Sequence, residues 1–130
     1  MQVLFLCPHG AAKSIIATAM LRDLAAREGL DVTVSNAGTE PDEELNPIAL
    51  TALRARGLNY KDPPRQVTQK DIEAADVVVS FGCTLSELPT TPRRLIDWST
   101  APNASDDVDA LCRYIEARFA GLVGGVTPID

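Results

Sequence analysis

Apolar and polar residues along this chain fall into two alternating textures. Short, β-prone apolar runs are followed by stretches in which apolar positions recur every three or four residues. Val3-Leu4-Phe5-Leu6 is the first run and reads as a buried strand. From Ser14 to Arg27 the period is helical and stops at Gly29, with Ile16, Met20 and Leu24 on one stripe and Ala17 and Leu21 beside it. Thr18, Arg22 and Arg27 are expected to face away from that stripe. A second strand is expected over Val32–Asn36. A second helix follows, with Asn46 as N-cap, Pro47 in its first position and Gly57 just past its end.

After the Pro63-Pro64 connection, Thr68 and Asp71 have the spacing of a capping box for a short helix reaching Ala75. Strands are then expected over Val77–Phe81 and about Arg94–Trp98. The last helix starts near Ser105 and sets Val108, Leu111, Ile115, Phe119 and Leu122 at core spacing, while Gly124-Gly125 and the tail read as loose. Strands alternating with helices predict a single α/β domain over residues 1–130, in which a four-stranded parallel sheet is flanked by helices on both faces. In open sheets of this kind ligands bind beyond the carboxyl ends of the strands. Cys7, the Ala37-Gly38 turn, Cys83 and the segment after Trp98 all lie at such ends and can converge.

At 130 residues the chain is long enough to bury one core without staples. Its formal charge of −6 disfavours nucleic acid and anionic membrane as partners. It shows no signal peptide and no long apolar run. Three cysteines without close metal spacing argue against a disulfide framework and against zinc, and no cofactor is implied. A reducing cytoplasm fits this usage best.

The candidate chemistry sits in Cys7-Pro8-His9-Gly10-Ala11-Ala12-Lys13-Ser14, between the first strand and the first helix. A thiol at a strand end, a loop of small residues and a helix N-terminus together form an anion site with a nucleophile at its floor. The same positive field favours the thiolate of Cys7. A cysteine at a strand end can also be a small core hydrophobe. Lys13-Ser14 mimics the end of a nucleotide-binding loop, but Cys7 and Ala12 stand where that motif needs glycines.

Cys-x5-basic-Ser in this position resembles the signature of low-molecular-weight protein tyrosine phosphatases and of the thioredoxin-coupled arsenate reductases that share their fold. A family form reads Cys-Val-His-Asn-Ala-Gly-Arg-Ser; here Pro8, Gly10, Ala12 and Lys13 replace Val, Asn, Gly and Arg. Ser35 to Pro41 resembles the family's Ser-Ala-Gly-Thr-x-Pro segment with one residue added, and Asn46-Pro47, Ala75 to Val79, Gly82-Cys83 and Asp97-Trp98 align in order. The resemblance covers nearly the whole chain and implies a low-molecular-weight phosphatase-like fold.

It also implies roles. Cys7 becomes the nucleophile, with Pro8, His9, Gly10, Ala11, Ala12, Lys13 and Ser14 forming the oxyanion cradle, and Ser14 supporting the thiolate. Lys13 is the cation for a tetrahedral oxyanion, although a point charge lacks arginine's fork; otherwise it is a solvated lysine. Gly10 reaches a left-handed conformation at no steric cost, and Pro8 removes one backbone donor. His9, the only histidine, can move protons near neutral pH but more commonly packs or shields.

The phosphatases of the family carry an Asp-Pro proton donor where this chain has Ala101-Pro102, and Asp97, Asp106 and Asp107 are not placed to replace it. Cys83 matches the reductase cysteine that attacks a Cys–arsenic adduct; its alternative is a buried core cysteine. The stretch where thioredoxin-coupled members carry a third cysteine holds Ser86, Glu87 and Leu88, and Cys112 reads as core.

Three functions are therefore expected. The first is an arsenate reductase-like thiol enzyme in which Cys7 attacks and Cys83 resolves, regenerated by thioredoxin or a low-molecular-weight thiol. The second is a low-molecular-weight phosphatase with a Cys7 phosphoenzyme. The third is an oxyanion-binding or regulatory module that has lost catalysis. Arsenate, phosphate or a similar oxyanion is the expected ligand in each.

Overall fold

A computed structural model describes residues 1–124; the Gly125 part of the expected loose tail, and everything after it, lies outside the described residues. Four parallel strands, β1 (Gln2–Cys7), β2 (Thr33–Gly38), β3 (Val77–Ser80) and β4 (Leu95–Asp97), form one sheet in the order β2-β1-β3-β4. Helices α1 (Lys13–Glu28), α2 (Pro47–Ala55), α3 (Gln69–Ala74) and α4 (Ala104–Val123) complete it, with a short 3₁₀ turn at Leu85–Glu87. The connection from β1 runs out to β2 on one side and that from β3 to β4 on the other. The order therefore reverses between β1 and β3, and a crevice for ligands opens at such a switch point.

β1 explains how both faces are covered. Val3, Phe5 and Cys7 alternate with Leu4 and Leu6, and all five are buried. The odd set packs with α1, α2 and α4 in a cluster containing Ile15, Leu53, Leu111 and Phe119. The even set packs with Val67, Ile72 of α3 and Val78. Strands buried on both faces read as continuous apolar runs rather than alternation, which is why β1 and β3 look as they do. Phe5, Phe81 and Trp98 meet at ring-centroid distances of 5.6–6.2 Å, tying β1, β3 and β4 together near the carboxyl ends.

The local signals behave as read. Asn46 caps α2 by accepting from the Ile48 N–H at 2.8 Å, and Pro47 opens the helix. Thr68 and Asp71 form a reciprocal capping box on α3. Cys112 is fully buried in α4.

Three expectations need correction. Thr18 is fully buried rather than outward, because α1 is wrapped on all sides over Ser14–Leu21. Its hydroxyl donates to the Ser14 carbonyl and accepts from Asn36, so the buried polarity is satisfied. Strand β2 extends through Gly38, which is a strand residue and not part of a turn. Finally, α4 breaks at Asp107, whose non-helical backbone lets its carboxylate cap the following turn through the Ala110 N–H at 2.9 Å. The helix thus begins beside Ser105, as expected, but runs regularly only after this unexpected break.

Candidate active site

Two glycines shape the loop between β1 and α1. Gly10 has φ +59°, a left-handed conformation, and its N–H donates to the Cys7 carbonyl at 3.2 Å. Its partner is Gly38 at the end of β2. A Cβ on Gly38 would lie 2.9 Å from the Gly10 nitrogen and 2.9 Å from the Pro8 oxygen, closer than real Cβ atoms come. Loop and strand are therefore packed backbone on backbone.

The loop's carbonyls are then drawn outward. Those of Pro8, His9 and Ala11 accept from the N–H groups of Glu40, Asp42 and Asn46 at 2.7–3.0 Å. With the carbonyls fastened to that segment, the N–H groups of His9, Ala11, Ala12, Lys13 and Ser14 have no acceptor among the described residues. Five donors at the start of a sixteen-residue helix, around a strand-end thiol, make a cradle for an anion.

Cys7 is buried, and its Sγ lies 3.0 Å from the Ser14 hydroxyl. That hydroxyl can donate to a thiolate, the role expected for Ser14. Lys13 extends across the site and its Nζ donates to the Ala101 carbonyl at 3.2 Å. His9, by contrast, points to the lip, where its Nδ1 meets Asp42 Oδ1 at 3.1 Å with both side chains more than half exposed. Its position is that of a shield. The cleft above Cys7 has a volume of about 330 Å³ and is bounded by the loop, Asp42, Asn46, Phe81 and the α4 start at Asn103–Ser105. Larger hollows exist elsewhere, including one of about 640 Å³ between α2 and α4, whose lining holds no cysteine.

Cys83 is half-buried beyond β3, after Gly82 with φ +98°. Ser80 folds this corner: its hydroxyl accepts from the Cys83 N–H at 2.9 Å and donates to the Cys83 carbonyl at 3.2 Å. Burial pushes the Cys83 thiol above its ordinary pKa, hydrogen bonds from Thr39 and Ser80 work against this, and the nearby Cys7 and Glu87 push it up further. Its Sγ is 3.9 Å from the Thr39 hydroxyl. Cys7 packs with the α1–α4 cluster and Cys83 with the α3 cluster, and Cys83 does not line the cleft.

Several participants were not read from the sequence. They are the Ala101 carbonyl that takes Lys13, Thr39 and Ser80 around Cys83, and the cleft wall at Asn103 and Ser105. Only Ser80 left a trace, as a polar residue closing an apolar strand. Asn36 in a buried strand was a similar signal, explained by its bonds to Thr18 and to the Tyr60 hydroxyl.

Residues 2–121 match the family model for low molecular weight phosphotyrosine protein phosphatases. The chain belongs to that family. A putative arsenate reductase of Halobacterium salinarum is 27% identical over 132 residues, covering 97% of this chain and 93% of that protein. The protein-arginine-phosphatase of Bacillus subtilis is 30% identical over 83 residues, which are 62% of this chain and 55% of that one.

Among solved structures, a thioredoxin-dependent arsenate reductase of Corynebacterium glutamicum superimposes with a TM-score of 0.77 at 34% identity. That match covers 95% of this chain, which spans 60% of the other. The family's α/β fold, with its four parallel strands and flanking helices, is thus the fold of this chain. Family members are arsenate reductases or phosphatases, and this one is an enzyme of that group. No helix among the described residues is long and apolar enough to cross a membrane.

Proposed function

We propose that the chain reduces arsenate by thiol chemistry. The observation that carries this reading is a second cysteine, Cys83, beyond the strand adjacent to the one that ends at Cys7, on the other side of the switch point. Arsenate occupies the cradle of His9, Ala11, Ala12, Lys13 and Ser14 amides, with Gly10 and Pro8 setting the loop's shape. The Lys13 ammonium balances its charge.

The Cys7 thiolate attacks arsenic, an arsenic–oxygen bond breaks, and the departing oxygen leaves as water once protonated. The Cys83 thiolate then attacks Cys7 Sγ. A sulfur–sulfur bond forms, the sulfur–arsenic bond breaks, and its electron pair stays on arsenic, which leaves as arsenite. Two thiols have been oxidised to a disulfide, and a thioredoxin or low-molecular-weight thiol restores them. The C. glutamicum structure, a thioredoxin-dependent arsenate reductase, supports that choice of reductant.

The thiols pack in different clusters, so the segment that begins at Gly82, with φ +98°, is the part expected to shift as the disulfide closes. The test is arsenate turnover with and without added thiol, followed by mass spectrometry. A Cys7–Cys83 disulfide that accumulates only when reductant is withheld is expected. Arsenite production that persists unchanged in Cys83→Ser, with no such disulfide in the parent, sinks the relay.

A phosphatase acting through a Cys7 phosphoenzyme is the second reading, favoured by the family model and the arginine-phosphatase relative. Ala101, which has no ionisable side chain, stands against it. Hydrolysis of aryl phosphates at ordinary phosphatase rates, without arsenate reduction, would put it first.

A further inference from the structure

Both readings require a proton for the departing oxygen, and few groups around Cys7 can supply one. The ionisable side chains lining the cleft are Cys7 itself, His9, Lys13 and Asp42. His9 and Asp42 are paired with each other at the exposed lip. Lys13 is part-buried, and its ammonium is held across the site by the Ala101 carbonyl. An ammonium carries three protons, of which that carbonyl takes one, leaving two for a bound oxyanion. The same bond ties Nζ to the segment after Trp98, so the ammonium is held by a part of the chain other than the loop that carries the amides.

We infer that Lys13 is the proton carrier of the reaction, delivering the proton that turns the departing oxygen into water or alcohol. The inference rests on Cys7 being the nucleophile of a tetrahedral oxyanion. As Cys7 Sγ bonds to the central atom, the bond to the departing oxygen breaks. That oxygen takes a proton from Nζ, and the neutral amine left on Lys13 regains one from solvent.

The chemistry of the donor sets what it can serve. A lysine ammonium is a far stronger acid than water, and about as strong as a phenol. Transfer to a leaving hydroxide or alkoxide is steeply downhill, whereas transfer to an aryloxide gains little. Lys13 therefore suits the loss of hydroxide from arsenate, or of an alcohol, and not the aryl esters that a carboxylic acid assists well. Arginine in its place would keep the charge and bind oxygens in a fork, but would hold its proton.

The test follows the loss of the free Cys7 thiol after mixing with arsenate at neutral pH. It is run in the parent and in Lys13→Arg, Lys13→Ala and Asp42→Asn. Lys13→Arg is expected to bind arsenate within about threefold of the parent and to form the adduct roughly a hundredfold more slowly. Lys13→Ala is expected to be slow and to be rescued by methylammonium but not by guanidinium. Asp42→Asn is expected to lose less than either Lys13 variant.

Parent-like rates in Lys13→Arg overturn the inference, as does a loss confined to Asp42→Asn. If arsenate forms no adduct with the parent, the reductase reading fails separately, and ethyl and nitrophenyl phosphate then decide on Lys13. A Lys13→Arg defect on the ethyl ester alone supports the inference. Equal loss on both esters, or turnover of neither, overturns it.

Discussion

Cys7 and Cys83 follow neighbouring strands of one sheet, yet they stand in opposite surroundings. β1 runs into a loop whose carbonyls are tied back and whose amides are free, so Cys7 meets donors: the helix start and the Ser14 hydroxyl at 3.0 Å. β3 runs into a left-handed glycine and a Ser80-latched corner, so Cys83 meets apolar cover and the carboxylate of Glu87. In the proposed reaction the first thiol attacks the bound anion. The second, its pKa raised by burial, attacks afterwards. What a strand runs into, rather than the residue at its end, sets the chemistry of the sulfur.

The sharpest way to break this contrast is to remove its stronger side. Cys7→Ser is expected to lower turnover of any substrate on the order of a thousandfold or more, as loss of a nucleophile does, while Cys83 still alkylates. Steady-state kinetics and mass-resolved labelling check both halves. Retained turnover would move the nucleophile elsewhere.

Gly38→Ala tests the loop's shape without touching a reactive group. The added Cβ has no room at 2.9 Å from two backbone atoms. Forcing it in is expected to cost about 1–3 kcal/mol in stability and to abolish protection of Cys7 by phosphate or arsenate. Denaturant unfolding, together with alkylation in the presence of either anion, measures the two effects. Intact protection would mean that the cradle tolerates a different loop path.

Thr39→Val sharpens the other side. Its hydroxyl is one of the bonds holding the Cys83 pKa down against burial. The folded pKa of Cys83 is already raised, so its thiolate appears only above the ordinary thiol range, and the variant shifts that onset further up. Labelling of Cys83 is expected to slow severalfold at pH 8 and to converge with the parent at higher pH. The pH–rate profile of alkylation reads this directly, and an unshifted profile would remove Thr39 from the account.

The smallest effect lies outside both regions and serves as their control. Thr68→Ala removes the α3 cap and is expected to cost about 1 kcal/mol at neutral pH with no change in either thiol. Burial alone would raise the Asp71 pKa, but its bonds to Arg65 and to the Thr68 backbone and hydroxyl bring it below the ordinary carboxylate value. That stabilisation is present above the unfolded pKa of about 3.9 and is lost as pH falls through the folded one. Asp71→Asn should flatten the acid limb of the stability curve, which thermal melts between neutral pH and pH 3 would show.

The elements were legible where local chemistry decides them. Asn46-Pro47, Thr68 with Asp71, and the apolar β1 and β3 each carry their own instruction, and the structure follows it. Cys7, Lys13 and Ser14 were legible too, because a loop between a strand and a helix holds its parts together in sequence. What could not be read depends on distant segments meeting. Thr18 looked outward because helical period says nothing of a second layer covering the polar side, and only the contact with Asn36 shows why it is buried. The Lys13–Ala101 bond spans 88 residues and uses a carbonyl that every residue possesses, so no side chain announces it. Cys83 was found by position, but its cover by the α3 cluster, away from the cleft, was not.

Cys112, with none of its surface exposed, gives the molecule a gauge of its own integrity. A thiol reagent small enough to reach Cys7 and Cys83 in the native state reaches the third sulfur only when α4 lifts from the sheet. The rate at which a third label appears then measures how often that helix opens. Damage to the loop after Cys7 can thus be told from damage to the fold in the same tube, by counting labels: two for a chain that is folded, three for one that has come apart.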